Sequence, residues 1–219
     1  VEKTDIEYVI PKNKLNTKTG GKEYSFSLWL RINNWYNNDT SKYGTATEKN
    51  IFSYGKKDEG LKVGKQNMDF HKGVVPSVWM DNEKNDLNIY IHTQSGLNQV
   101  IKVKNIPLKK WFKLTIVMKK RSVQVYLNSK LDVFNYLKND IIVPNEDFYL
   151  FTGESKIDGN FSNVVYYKQA LNAAQVAKLY KVGDKPTNKS LLYKFVNFFK
   201  KVGKYRNDKK IKKDNCEKC

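Results

Sequence analysis

The fold is decided by residues 151–180, which run F-T-G-E-S-K-I-D-G-N-F-S-N-V-V-Y-Y-K-Q-A-L-N-A-A-Q-V-A-K-L-Y. Asp158-Gly159 predicts a turn. A strand of alternating apolar residues follows the turn, at Phe161, Val164 and Tyr166. The segment from Asn172 to Tyr180 then places Ala173, Val176 and Leu179 on one face of a helix. The stretch therefore predicts a turn, a strand and a short helix in that order.

A second strand is predicted from Tyr24 to Trp35, Y-S-F-S-L-W-L-R-I-N-N-W. The side chains of a strand alternate between its two faces. One face consists of Phe26, Leu28, Leu30 and Ile32, and the other of Ser25, Ser27, Trp29 and Arg31. The first of these faces is suited to a hydrophobic core.

A hairpin is predicted where N-I-P-L-K-K-W-F-K-L-T-I-V-M, residues 105–118, precedes S-V-Q-V-Y-L-N-S-K, residues 122–130. With the other two stretches, it resembles the laminin-G-type jelly rolls of the concanavalin A-like superfamily. The closing pattern of that family is a D-G-x-(I/F) strand and an L-(S/N)-x-x-(E/Q)-(I/V)-x-x-L-Y helix, which Leu171–Tyr180 resembles. Ser129 stands where the family hairpin has glycine, and Asn128 tolerates the left-handed conformation that the turn needs.

The resemblance implies an all-β, antiparallel jelly-roll sandwich with a short cap helix, over residues 22–182. Residues 1–21 are predicted to hold an edge strand (Ile6 to Ile10) and a loop, and residues 183–219 a basic helical extension and tail. Further strands are predicted at 51–54, 76–80, 88–93, 99–103, 112–119, 123–127 and 148–152. The predicted core contains Leu28, Leu30, Leu114, Ile116, Val125, Leu127 and Val164.

The chain has a formal net charge of +18, but only three of its 40 basic residues are arginines. Specific nucleic-acid sites favour arginine for its bidentate fork, so we expect no specific nucleic-acid partner. Such a lysine- and asparagine-rich composition also arises from AT-rich codons. The two cysteines, Cys216 and Cys219, both lie in the tail. A sandwich without cysteine is consistent with folding in a reducing compartment.

The tail contains a predicted basic amphipathic helix between residues 191 and 202. Its apolar face consists of Leu191, Leu192, Phe195, Phe198, Phe199 and Val202, and its basic face carries Lys194, Lys200, Lys201 and Lys204. One interpretation is that this helix folds back on the sandwich. The other is that it docks on an anionic membrane or in the groove of a partner.

Catalysis is not predicted. Glucanases of this fold carry E-x-D-x-x-E on one strand, because retaining hydrolysis needs two carboxyl groups about 5 Å apart. That pattern is absent from the chain. Asp81, Glu83 and Asp86 come nearest to it and suggest a solvated turn instead. His71 and His92 have no partner motif, and His92 is expected to be a residue of a sheet.

Two kinds of binding site are compatible with the family resemblance. One is a calcium site, because members of this superfamily often bind calcium at a rim of the sandwich, and its candidate ligands here are Asp81, Asn82 and Asp86. Candidate glycan-binding residues follow the opening strand and are Trp35, Tyr36, Asn37, Asn38 and Tyr43. Alternatively, Trp35 closes the edge of the sandwich.

The residues of these three motifs most resemble those of concanavalin A-like proteins of large DNA viruses of eukaryotes. That resemblance implies a non-catalytic virion component, located in the virion or at a membrane. Its partners would be other structural proteins of an assembly, with glycans and anionic membrane as further candidates. A carbohydrate-binding lectin is the alternative function, and a glycoside hydrolase is a distant third.

Overall fold

The computed structural model describes residues 1–15, 22–34, 48–57, 73–96, 98–152 and 157–182. The strands are β1 (Glu2–Lys3), β2 (Tyr8–Ile10), β3 (Glu23–Asn34), β4 (Lys49–Gly55), β5 (Val74–Met80), β6 (Leu87–His92), β7 (Asn98–Val103), β8 (Phe112–Lys119), β9 (Ser122–Leu127), β10 (Lys130–Tyr136), β11 (Phe148–Leu150) and β12 (Asp158–Tyr167). The helices are α1 (Lys12–Leu15) and α2 (Ala173–Val182). These elements belong to one compact unit, Glu2–Pro186. No described helix is long and apolar enough to cross a membrane.

The strands form two six-stranded antiparallel sheets. The first sheet has the order β1-β12-β3-β8-β9-β10, and the second has the order β2-β11-β4-β5-β6-β7. This arrangement confirms the predicted all-β sandwich with a short cap helix. The predicted edge strand is present as β2, which lies at the edge of the second sheet.

The core lies between the two sheets, where alternation predicted it. Six of the seven predicted core residues are buried, namely Leu28, Leu30, Leu114, Ile116, Val125 and Val164. Leu127 is partly buried and packs against the same cluster. The register explains this packing, because Leu28 pairs with Leu114, which in turn pairs with Leu127. Both tyrosines that enter the core from β3 and β4, Tyr24 and Tyr54, donate their hydroxyls to backbone carbonyls.

Helix α2 covers the outer face of the first sheet. A capping box begins it, since the Asn172 N–H donates to Gln175 Oε1 and the Gln175 N–H donates to Asn172 Oδ1, both at 2.9 Å. Val176 and Leu171 pack on the sheet with Val117 and Tyr126 as a second apolar cluster. Trp29, which alternation assigns to this face, is therefore fully buried.

Strand β10 was not predicted. It pairs with β9 through a turn in which Asn128 and Ser129 both have positive φ, of 50° and 72°. The left-handed conformation expected at Asn128 is confirmed. The strand lies at the sheet edge, and its outward residues Leu131, Phe134 and Tyr136 are exposed. Exposure on an edge strand explains why its sequence lacks a clear hydrophobic alternation.

Candidate functional site

The outer face of the second sheet carries polar side chains, because successive residues of its strands alternate between the core and the outside. On β6, Leu87, Ile89 and Ile91 enter the core, so Asn88 and Tyr90 face outward. Lys102 of β7 pairs with Asn88, and Val100 pairs with Tyr90. On the other side, Trp79 and Ser77 of β5 pair with the same two residues of β6. We call this surface the polar face.

One part of the polar face is a buried hydrogen-bond network across β4 and β5. The Thr152 N–H donates to Asn50 Oδ1 at 3.2 Å, and Asn50 Nδ2 donates to Ser53 Oγ at 2.8 Å. Ser53 Oγ lies 3.0 Å from Ser77 Oγ, which also accepts a hydrogen bond from Trp79 Nε1 at 2.6 Å. Buried polar atoms need such partners, so this network fixes the sheet that carries the more open residues beside it.

Beside this network lies a group that we call the carboxylate cluster, comprising Glu48, Asp81, Asn88, Tyr90 and Lys102. Asn88 Nδ2 donates to Glu48 Oε1 at 2.5 Å and to Asp81 Oδ2 at 3.3 Å. The Tyr90 hydroxyl donates to Glu48 Oε2 at 2.9 Å. Asn88 is buried, Tyr90 is partly exposed, and the Lys102 side chain is 43% exposed. The cluster is thus fixed by its own hydrogen bonds and reaches solvent at Tyr90 and Lys102.

Asp81 is the anchor of the adjoining turn. Its Oδ1 accepts hydrogen bonds from the N–H groups of Glu83 and Lys84, at 3.0 and 3.2 Å, which is the geometry of an Asx turn. Its Oδ2 accepts from Lys102 Nζ at 3.1 Å. Burial would raise the pKa of Asp81, but the hydrogen bonds from Glu83, Lys102, Lys84 and Asn88 outweigh burial and lower the pKa to about 2. The hydrogen bond to Asp81 in turn raises the pKa of Lys102.

An open cavity of about 390 Å³ lies at the same turn. Its lining residues are Glu83, Lys84, Asn85, Asp86, Lys104 and Asn105. Asp86 Oδ1 accepts the Asn105 N–H at 2.9 Å, and Asn85 Nδ2 donates to the Ile106 carbonyl at 3.1 Å. These bonds hold the Asp81–Asp86 turn against the segment that follows β7.

The predicted calcium ligands Asp81, Asn82 and Asp86 all lie in this turn. Both oxygens of Asp81 already accept hydrogen bonds, and the Lys102 ammonium group would compete with a cation there. In the described part of the chain, no group of three or more His, Cys, Asp and Glu residues could hold a metal ion. Calcium also binds asparagine and carbonyl oxygens, so the calcium site stays a prediction.

The predicted glycan-binding residues, Trp35, Tyr36, Asn37, Asn38 and Tyr43, lie outside the described residues, as does His71. So do the predicted docking residues of the tail, between 191 and 204. His92 is a residue of β6, as predicted, and its side chain is buried. The turn predicted around Asp81 is present.

Sequence analysis did not find Glu48, Asn88, Tyr90 and Lys102. Their one signal was the alternation of polar and apolar residues along β6. The register of four neighbouring strands, β4 to β7, was needed to bring them together.

Comparison with known proteins gives a family and a fold. The family model for Laminin_G_3, described as concanavalin A-like lectin/glucanases superfamily, matches residues 5–177. A search of curated protein sequences found no match.

Among solved structures, the botulinum neurotoxin type G receptor binding domain is similar at 20% identity and a TM-score of 0.53, over 74% of this chain and 38% of that one. The binding domain of botulinum neurotoxin DC in complex with SialylT is similar at 17% identity and a TM-score of 0.58, over 80% and 39%. Domain 4 of AbnA, a GH43 extracellular arabinanase from Geobacillus stearothermophilus, in complex with arabinotriose, has 15% identity and a TM-score of 0.50, over 75% and 69%. The chain spans under two fifths of the length of these botulinum chains. At such identities, the similarity shows a shared fold.

Proposed function

The chain belongs to the concanavalin A-like lectin/glucanase superfamily, and we propose that it acts there as a non-catalytic module that binds glycans on its polar face. The observation that carries the proposal is the carboxylate cluster. Its side chains are held in one arrangement before any ligand arrives, so binding would cost little ordering entropy. Sugar recognition uses such fixed hydrogen-bonding groups beside an aromatic surface, and Tyr90 supplies a partly exposed ring. The SialylT and arabinotriose complexes of similar structures support a glycan ligand.

The charge state of Asp81 does not suit the proton donor of a glycoside hydrolase. Glu48 and Asp81 approach the same amide nitrogen, so two carboxylates do lie close together on the polar face. Retaining hydrolysis requires one such carboxyl group to donate a proton, which calls for a raised pKa. The pKa of Asp81 is lowered to about 2 by its hydrogen-bond donors, so Asp81 stays ionised at neutral pH.

A glycan array probed with the full chain tests this proposal, with and without calcium. We expect binding that Tyr90→Ala weakens by about tenfold or more, because the substitution removes both the ring and a donor to Glu48. Tyr136→Ala is the matched control, since Tyr136 is 62% exposed on the first sheet. Equal loss in both variants, or no bound glycan at all, would count against the proposal. A requirement for calcium would instead support the metal site at Asp81, Asn82 and Asp86.

A structural role in an assembly such as a virion is the second candidate function. It is favoured by the exposed apolar side chains of Leu131, Phe134 and Tyr136 on the edge strand β10, because such patches mark protein contacts. Arg121 lies over the Tyr136 ring at 5.0 Å and adds a cation to the patch. The similar binding domain of botulinum neurotoxin DC in complex with rat synaptotagmin II supports a protein partner.

The basic tail gives this second function a direct test, which also covers the proposed location at a particle or membrane. Deleting residues 187–219 should leave the sandwich folded and abolish association with particles or anionic liposomes. Flotation of both chains with liposomes at low and high salt measures this, and the charged contribution should weaken with salt. Unchanged flotation of the shortened chain would mean that residues 187–219 do not carry the association.

A further inference from the structure

We propose that the edge strand β10 binds an extended, acidic segment of a partner protein, which adds to the first sheet as a further strand. This inference rests on the second candidate function, a role in an assembly, and is independent of glycan binding on the polar face. Among the described strands, β10 pairs with β9 alone, so the N–H and C=O groups along its other side meet no described strand. An extended segment can pair with such a row of backbone groups.

The second half of β10 is poorly protected against such pairing. Natural edge strands are protected by shortness, charged residues or bulges. The edge strands β1, β2 and β7 contain two, three and six residues, whereas β10 contains seven. Its first half carries the charges of Lys130 and Asp132 and a bulge after Leu131. Residues 133–136 pair with β9 without a register shift, so they are the part of the strand that suits a new partner.

Two exposed rings mark this part of the strand. Gln124 lies between two core residues of β9 and pairs with Phe134, so Phe134 faces outward. Tyr136 follows two residues later and faces the same way. The two side chains are 57% and 62% exposed. An added strand would bring every second side chain beside these rings, which favours apolar residues at alternate positions of the partner.

Basic groups at the Tyr136 end favour an acidic partner. The Arg121 guanidinium group lies 5.0 Å from the centre of the Tyr136 ring. Lys119 lies on the same face, because it and Tyr136 both pair with Ser122. Lys138, whose carbonyl accepts a hydrogen bond from Arg121, is exposed beside them. These cations attract carboxylates and repel a second copy of the same surface, so the acidic partner is favoured over self-association.

The position of α2 disfavours a membrane as the occupant. This helix packs on the same outer face, over β3, β8 and β9. A helix is about 10 Å across, so a flat bilayer laid on this face would meet α2 before it reached Phe134. A single strand added beyond β10 lies farther from α2 than β10 itself does.

A selection of short random peptides from a display library, with the full chain at physiological salt, supplies a ligand for the test. We expect the selected peptides to carry β-branched or aromatic residues at alternate positions, together with Asp or Glu. Hydrogen exchange then locates the bound peptide, because the lysine-rich tail would also attract acidic peptides. The amides on the open side of residues 133–136 should exchange at least about tenfold more slowly, since they gain carbonyl partners. No selected peptide, or protection confined to other strands, would overturn the inference.

Phe134→Asp tests the same site by substitution. It removes a ring and adds a negative charge where the acidic strand would lie, so it should weaken peptide binding about tenfold or more. Val9→Asp is the matched control, because Val9 is 48% exposed on β2, an edge strand of the other sheet, and it should preserve binding. Equal affinities of the two variants would overturn the inference. Glycan binding by Phe134→Asp should be unchanged, which separates this test from the proposed glycan function.

The acidic preference is tested on the peptide itself. Replacing its Asp and Glu residues by Asn and Gln should weaken binding about tenfold or more at low salt, and less at high salt. Equal affinity of the neutral peptide at low salt would contradict the acidic preference.

Two further measurements separate the other occupants. Sedimentation velocity tests a second copy, and flotation with anionic liposomes tests a membrane. A dimer or a liposome association that Phe134→Asp abolishes would identify that occupant instead and overturn the inference. A peptide that depends on Phe134 but leaves the amides of β10 unprotected would support the role in an assembly and reject strand addition.

Discussion

The two outer faces of the sandwich come from the same strand alternation, yet they differ in what covers them. On the first sheet, α2 lies over Trp29, Val117 and Tyr126 and excludes water. On the second sheet, the carboxylate cluster is open to solvent at Tyr90 and Lys102. A covered face contributes to stability, whereas an open polar face with fixed hydrogen bonds is available to a ligand.

The largest expected effect comes from breaking the covered face. Trp29→Ala should lower the free energy of unfolding by about 3–5 kcal/mol, because it removes a large, fully buried side chain beneath the helix. Urea denaturation followed by circular dichroism measures this loss.

Tyr90→Ala on the polar face is the counterpart to Trp29→Ala. It should cost much less stability and act mainly on glycan binding, because Tyr90 is only partly buried. Similar losses of stability from both variants would contradict the division between a covered structural face and an open binding face.

The sequence alone was sufficient to predict the sandwich fold, but it was not sufficient to predict the carboxylate cluster. Strands β3, β8, β9 and β12 have strong two-residue alternation, and their core positions follow from it. Strand β10 was missed because its outward apolar residues are exposed at an edge.

The carboxylate cluster could not be predicted for a different reason. Its members come from four separate segments, and only strand register brings Glu48, Asp81 and Lys102 to one asparagine. Likewise, alternation assigned Trp29 to the outer face, but only the packing of α2 shows that it is buried.

The two faces also differ in how they affect the pKa of a charged side chain. On the polar face, that side chain is Asp81. Hydrogen bonds outweigh burial and lower the pKa of Asp81 to about 2, below its ordinary 3.8. Its contribution to stability is therefore present above pH 4 and is lost as the pH falls toward 2. The advantage of the unaltered protein over Asp81→Asn should shrink by up to about 2 kcal/mol between pH 4 and pH 2.

Thermal or urea unfolding at several acidic pH values measures this change. Asp132→Asn, at an exposed position on β10, is the control for removing one carboxylate. An unchanged difference for Asp81→Asn across the same pH range would mean that the hydrogen bonds to Asp81 do not favour its charged form.

Lys113 places a charge on the covered face, where the fold disfavours the charged form instead of favouring it. Its Nζ donates to the Leu179 carbonyl in the last turn of α2 at 3.0 Å and lies 5.4 Å from the centre of the Trp29 ring. Both contacts favour the ammonium form, but burial outweighs them and lowers the pKa of Lys113 to about 8.

Between pH 8 and about 10, the unfolded chain therefore holds a proton on Lys113 that the folded protein has released, so stability should rise with pH. We expect the unaltered protein to gain about 2 kcal/mol relative to Lys113→Met between pH 7.5 and pH 9.5. Buried tyrosines such as Tyr24, whose pKa is raised by burial, reduce stability only at higher pH and are common to both proteins. Lys119→Met, at the exposed end of the same strand, is the matched control. A flat difference for Lys113→Met would show that water reaches this lysine, and the first sheet would then be less completely covered than its burial indicates.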